Sequence, residues 1–162
     1  MSAVDDYLNG NARYAQTYAG GLGHKPSRQV AVVACMDCRM NVPALLGLKD
    51  GEAHVLRNAG GVITEDMIRS LTISQRVLGT REIMLVHHTD CGMSKSTDDA
   101  FKAAVEAATG IRPPWAAEMF ADAHADVRQS VARLTSSPFL AHKDAIRGFV
   151  FDVASGKLNE VA

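Results

Sequence analysis

Apolar residues fall along this chain in two alternating rhythms. Short unbroken runs of small and β-branched residues are separated by longer stretches in which apolar positions recur every three or four residues. The first pattern reads as buried strands, the second as amphipathic helices. The spacing predicts strands over 29–35, 52–57, 81–87 and 148–153, with a short tail strand after the Ser155-Gly156 turn. Between them it predicts a short helix from Asn41 to Leu46, one from the Thr64 cap to Gly79, one from Thr97 to Gly110, and one over 118–134. The inward sides of the three longer ones are Ile68, Leu71 and Leu78, then Phe101, Ala104, Val105 and Ala108, then Val127, Val131 and Leu134. A helix over 2–18, capped by Ser2, carries an imperfect stripe of Val4, Leu8, Tyr14 and Tyr18 that needs a sheet or a partner subunit to cover.

Strands alternating with helices argue for an α/β fold: one mostly parallel central sheet flanked by helices. The expected organisation is a single domain over 1–162, in which 1–28 form an N-terminal helical arm and a glycine-rich connector. In such sheets ligands gather outside the carboxyl ends of the strands.

Composition narrows the function classes. Apolar residues make up 47% of the chain, enough for a core that needs no metal to fold. The formal net charge is −1, and the basic residues are scattered, so no nucleic-acid face is expected. No apolar run approaches membrane-spanning length and the first residues are polar and acidic, so a cytoplasmic protein with no membrane contact is expected. Three cysteines, an odd number, read as ligands or bystanders rather than disulfide partners.

The chemistry lies at two strand ends. The run Val30-Ala31-Val32-Val33-Ala34 breaks into Cys35-Met36-Asp37-Cys38-Arg39, and Ile83-Met84-Leu85-Val86 breaks into His87-His88-Thr89-Asp90-Cys91. Alternation puts Cys35, Asp37 and Arg39 on one side of the first, Met36 and Cys38 on the other. Two zinc arrangements compete. Cys35, Cys38, His88 and Cys91 would make a closed structural site; Cys35, His88 and Cys91 alone would leave the fourth position open, as catalysis requires. A Cys35–Cys38 redox pair is a third reading, weakened because that motif normally opens a helix and here leaves a strand. Asp37–Arg39 also reads as an ordinary ion pair, Asp90 as a turn residue or a hydrogen-bond acceptor beside the ligands, and Cys38 as a small packed residue. His87 reads as a packed or hydrogen-bonded histidine on the opposite face. His24, His54, His124 and His142 read as loop or helix-face residues without a catalytic part, and Trp115 as a packing or dimer-contact residue.

Three separated motifs resemble the β-carbonic anhydrases: Cys35-x-Asp37-x-Arg39, Arg57-Asn58-Ala59-Gly60, and His88-Thr89-Asp90-Cys91-Gly92. With the closing Arg147-Gly148-Phe149-Val150-Phe151-Asp152 they keep the family's order and spacing. The resemblance implies zinc on Cys35, His88 and Cys91, with Asp37 and Arg39 orienting a zinc-bound hydroxide for attack on CO2 to give bicarbonate. Two thiolates withdraw less charge than three imidazoles, so that hydroxide would form somewhat above neutrality. The resemblance further implies a homodimer or dimer of dimers, and a low-pH form in which Asp37 closes the metal's fourth position. The bare backbone at Gly60 and Gly61 is expected to let a small substrate approach. The sequence departs from the family's usual pattern at Cys38 and His87, neither of them a ligand. Its compact length is also similar to that of enzymes hydrolysing carbonyl sulfide on the same scaffold, the alternative activity.

Overall fold

A computed structural model describes residues 2–162. Five strands form one sheet in the order β2-β1-β3-β4-β5, where β1 is Val30–Cys35, β2 Ala53–Asn58, β3 Glu82–His88, β4 Ile146–Phe151 and β5 Leu158–Glu160. The first four pair in parallel, and β5 returns antiparallel to β4. β1 has a neighbour on either side, so Ala31 to Cys35 are all buried, as an unbroken apolar run predicts. The chain leaves β1 toward β2 on one side, then returns past it to place β3 on the other. That reversal puts a crevice between the carboxyl ends of β1 and β3, the place where open parallel sheets bind ligands.

The helices are α1 Ala3–Ala15, α2 Val42–Leu46, α3 Glu65–Arg76, α4 Asp98–Thr109 and α5 Ala123–Ser136. The caps account for most of their starts. Ser2 and Asp5 exchange reciprocal capping bonds, and Asn41, Thr64 and Thr97 each accept a backbone N–H three residues on. α3 and α5 cover one face of the sheet, burying Leu71 and Leu134 against Val33 and Leu85. On the other face, Val32, Ala34, Val86 and Phe151 pack with Met40, Val42 and Phe120.

Some expectations shift. The last helix begins at Ala123 rather than near 118, because Glu118 sits at φ 58 and Asp122 supplies the cap. The segment before it is tied down by Asp98, whose carboxylate accepts the N–H groups of Ala117 and Met119 at 2.9 and 2.8 Å. α3 buries Met67, Leu71, Ser74 and Gln75, whereas Ile68 and Leu78 are only half-buried. α4 buries no residue at all: Ala104 and Ala108, expected inward, are exposed, and Phe101 only leans on the half-exposed Trp115 with ring centroids 6.2 Å apart. α1 likewise lies free of the chain's own core. His54, expected in a loop or on a helix, lies on β2 and bonds Ser74 at 2.8 Å.

Candidate metal centre

The two strand ends meet. Cys35 closes β1 and His88 closes β3, and Cys91 heads the 3-10 turn of Gly92–Ser94 just beyond. The Sγ atoms of Cys35 and Cys91 stand 4.0 Å apart, and those sulfurs and one nitrogen of His88 all lie within 4.8 Å of one another. All three residues are buried. Cys38, expected to pack, is exposed and outside this cluster, so the closed four-ligand arrangement does not form.

The donors are set up for a cation. A backbone carbonyl can only accept, so the 2.9 Å contact between His88 Nδ1 and the Thr89 carbonyl fixes the proton on Nδ1. Nε2 is left buried without a hydrogen-bond partner among the described residues. Burial works against the Cys35 thiolate, but the adjacent His88 ring and the N–H groups of Asp37 and Gly60 outweigh it and hold the thiol below its ordinary value. His88 rises in turn: burial opposes its charge, and the Cys35 thiolate more than compensates. Cys91 is pushed up to about 11, by burial first and then by the nearby negative charge of Cys35 and Asp37. Two crowded sulfurs, one of them kept from ionising by burial and by the other, and an orphaned imidazole nitrogen are what a soft divalent ion would relieve, so the residues fit zinc.

Beside the cluster lies a charge network. Asp37 Oδ1 accepts the Arg39 N–H and Nε–H, both at 2.9 Å, and Oδ2 accepts Nη2 at 2.8 Å. That guanidinium holds Asp37 far below the usual carboxylate range. Asp37 Oδ2 stands 3.6 Å from His88 Nε2, near the donors but not bonded to them. Arg39 also reaches across the crevice to Asp90, through Nη1 to Oδ2 at 3.1 Å and Nη2 to the carbonyl at 3.0 Å.

Gly60 and Gly61 are closely packed. A Cβ on Gly60 would meet Val62, Met93 and Phe120, and one on Gly61 would lie 2.9 Å from the Cys35 nitrogen. Their bareness makes room for the protein's own packing, around Phe120 for Gly60 and behind Cys35 for Gly61.

A family model described as carbonic anhydrase matches residues 30–158. The "Beta-carbonic anhydrase 1" of Mycobacterium tuberculosis is 58% identical over 161 residues, covering 99% of each chain. The chain belongs to the β-carbonic anhydrase family. It is thereby an enzyme, a carbonate dehydratase of the lyase class. The crystal structure of a carbonic anhydrase from Streptococcus mutans superposes with a TM-score of 0.94 at 39% identity, covering 100% of this chain and 99% of that one. A "Carbon disulfide hydrolase" of Acidithiobacillus thiooxidans is 32% identical over 176 residues, covering 96% of this chain and 87% of its own.

Within this β-carbonic anhydrase fold, three contacts were beyond reach of sequence patterns. Arg57, quoted only as part of a motif, donates to the carbonyls of Cys35 and Asp37 at 2.9 and 2.7 Å and so fixes the loop that carries both. His87 is wholly buried, turned away from the cluster, and bonds Asp126 of α5 at 2.6 Å. Asp90 proves to be both turn residue and acceptor: its φ of 52 aims carbonyl and carboxylate together at Arg39. The two partners of each long-range pair lie too far apart in sequence for local spacing to join them.

Proposed function

We propose that this chain hydrates CO2 reversibly to bicarbonate at a zinc ion held by Cys35, His88 and Cys91. The observation carrying the reading is the convergence of two buried sulfurs and one unpartnered imidazole nitrogen within 4.8 Å of one another. Zinc, when bound, would supply the positive charge that lets a water ionise far below its ordinary pKa, somewhat above neutral pH with this donor set.

The residues around it handle orientation. Asp37, held ionised by Arg39, keeps an oxygen within 3.6 Å of His88 Nε2, where it can accept a hydrogen bond from the attacking water. That bond turns an oxygen lone pair toward the CO2 carbon; one C–O bond forms, the electrons of one C=O π bond move onto what becomes a carboxylate oxygen of bicarbonate, and the water's O–H bond breaks to give a proton to solvent. Arg57 and the Gly60 N–H fix Cys35 from behind, so the ligand sulfur has little freedom. The Thr89 carbonyl keeps His88 in the tautomer that presents Nε2.

A homodimer fits the surface. α1 exposes Val4, Tyr7 and Leu8, and a cleft of about 470 Å³ lined by Val30, Val32, Leu46, Ala53 and Met84 leaves part of one sheet face uncovered. A second copy is the occupant this reading assigns to that face. Among the described residues no helix is long and apolar enough to cross a membrane.

Hydrolysis of a sulfur analogue, carbonyl sulfide or carbon disulfide, is the second reading. It is favoured by the 32% identity to a protein named carbon disulfide hydrolase along most of both chains. Stopped-flow CO2 hydration and sulfide release from either analogue, measured on one zinc-loaded preparation, separate the two. The primary reading expects fast hydration with little sulfide, and the reverse result would overturn it.

A further inference from the structure

The Asp37–Arg39 contact spans two residues of one loop, and Arg39 is 43% exposed. Such a pair at a surface is worth little unless something else fixes it. Asp90 does so from the other strand end. It gives Arg39 one carboxylate oxygen and its own carbonyl, while its second carboxylate oxygen is taken by Lys95 Nζ at 2.7 Å. Charges therefore alternate along Asp37, Arg39, Asp90 and Lys95, and of the three links the one between Arg39 and Asp90 spans the crevice from the loop after β1 to the turn after β3.

We propose that Asp90 is a positioning residue that holds Arg39 on Asp37 and thereby stops Asp37 from becoming a metal ligand itself. The inference rests on the metal reading above. Its physical core is a competition. Asp37 Oδ2 lies 3.6 Å from His88 Nε2, and carboxylate oxygen, like water, is an ordinary zinc ligand. What keeps that oxygen turned aside is the Arg39 fork, and what keeps the fork in place is Asp90. The left-handed backbone at Asp90 is required for this double contact, since it brings the carbonyl and the carboxylate to one guanidinium.

Asp90→Asn tests this cleanly. Asparagine keeps the shape and tolerates positive φ, so the turn and the carbonyl contact survive while the charge is lost. The test uses zinc-loaded protein for kinetics and cobalt(II)-substituted protein for azide titration, read from the metal's visible absorption. The variant is expected to hold one metal per chain, to lose about tenfold in kcat with KM changed by less than about twofold, and to bind azide correspondingly more weakly. In an Asp37→Ala background the same substitution is expected to change neither kcat nor azide affinity, because there is no carboxylate left to restrain. Equal losses with and without Asp37, or no loss at all, would overturn the proposal. Absence of cobalt absorption in the unmodified protein would sink the metal reading itself, and this inference with it.

Discussion

Replacing Gly61 by alanine is the sharpest structural test of how the site is built. Gly61 has φ 72, a region in which a side chain costs about 1–2 kcal/mol. Its Cβ would also lie 2.9 Å from the nitrogen of Cys35 and 3.0 Å from the carbonyl carbon of Ala34. Those atoms belong to β1, which is paired on both sides and cannot retreat, so overpacking adds about 1–3 kcal/mol. Together the loss is about 2–5 kcal/mol. Gly79 supplies the control: its φ is 79, and nothing lies within 4 Å of an added Cβ, so Gly79→Ala carries the backbone strain alone. Urea and thermal unfolding of metal-depleted protein compare the two without the metal's contribution. At about 2–4 °C per kcal/mol for a chain of this size, Gly61→Ala is expected to lower Tm by about 4–20 °C and Gly79→Ala by about 2–8 °C, roughly half as much. Because the crowded atom is the Cys35 nitrogen, Gly61→Ala is also expected to weaken zinc retention against a chelator, whereas Gly79→Ala leaves it unchanged. Equal losses from the two substitutions would refute the claim that Gly61 is a backing plate for Cys35.

Other outcomes follow from the same structure. Cys38→Ser is expected to leave zinc content and hydration rate at the level of the unmodified protein, and Cys35→Ser to lose the metal, as atomic absorption on purified variants would report. Asp37→Ala is expected to keep zinc and fold while losing about a hundredfold in kcat, measured by stopped-flow hydration. Asp98 accepts the Met119 and Ala117 N–H groups, which lower its pKa below the ordinary value. A depressed folded pKa means that this stabilisation is present above the unfolded value of about 3.9 and is lost as pH falls through the folded one. Asp98→Asn is therefore expected to lower Tm at pH 7, with the difference from the unmodified protein shrinking below about pH 4; a difference independent of pH would contradict that role.

Much of this was legible before the fold. An unbroken apolar run marks a strand with neighbours on both sides, so β1 and β3 announced themselves, and the chemistry began where each run stopped. Ser2, Asn41, Thr64 and Thr97 could be read as caps because capping is local. The inward face of α4 was misread for the opposite reason: its apolar spacing is real, but the chain covers it only in part, through Trp115 on Phe101. Periodicity reports that a face wants cover, not who supplies it. Alternation separated Cys35 from Cys38 but could not tell exposure from packing for the latter. The contacts of Arg39 with Asp90 and of His87 with Asp126 join residues 51 and 39 positions apart, and only the sheet order creates them.

The account stands on the coordination of zinc, which X-ray absorption at the zinc edge of the purified protein measures directly. Two sulfurs at about 2.3 Å and two nitrogen or oxygen neighbours near about 2.0–2.1 Å are the predicted shell. Three or four sulfurs around the ion, or a protein that takes up no zinc at all, would contradict it.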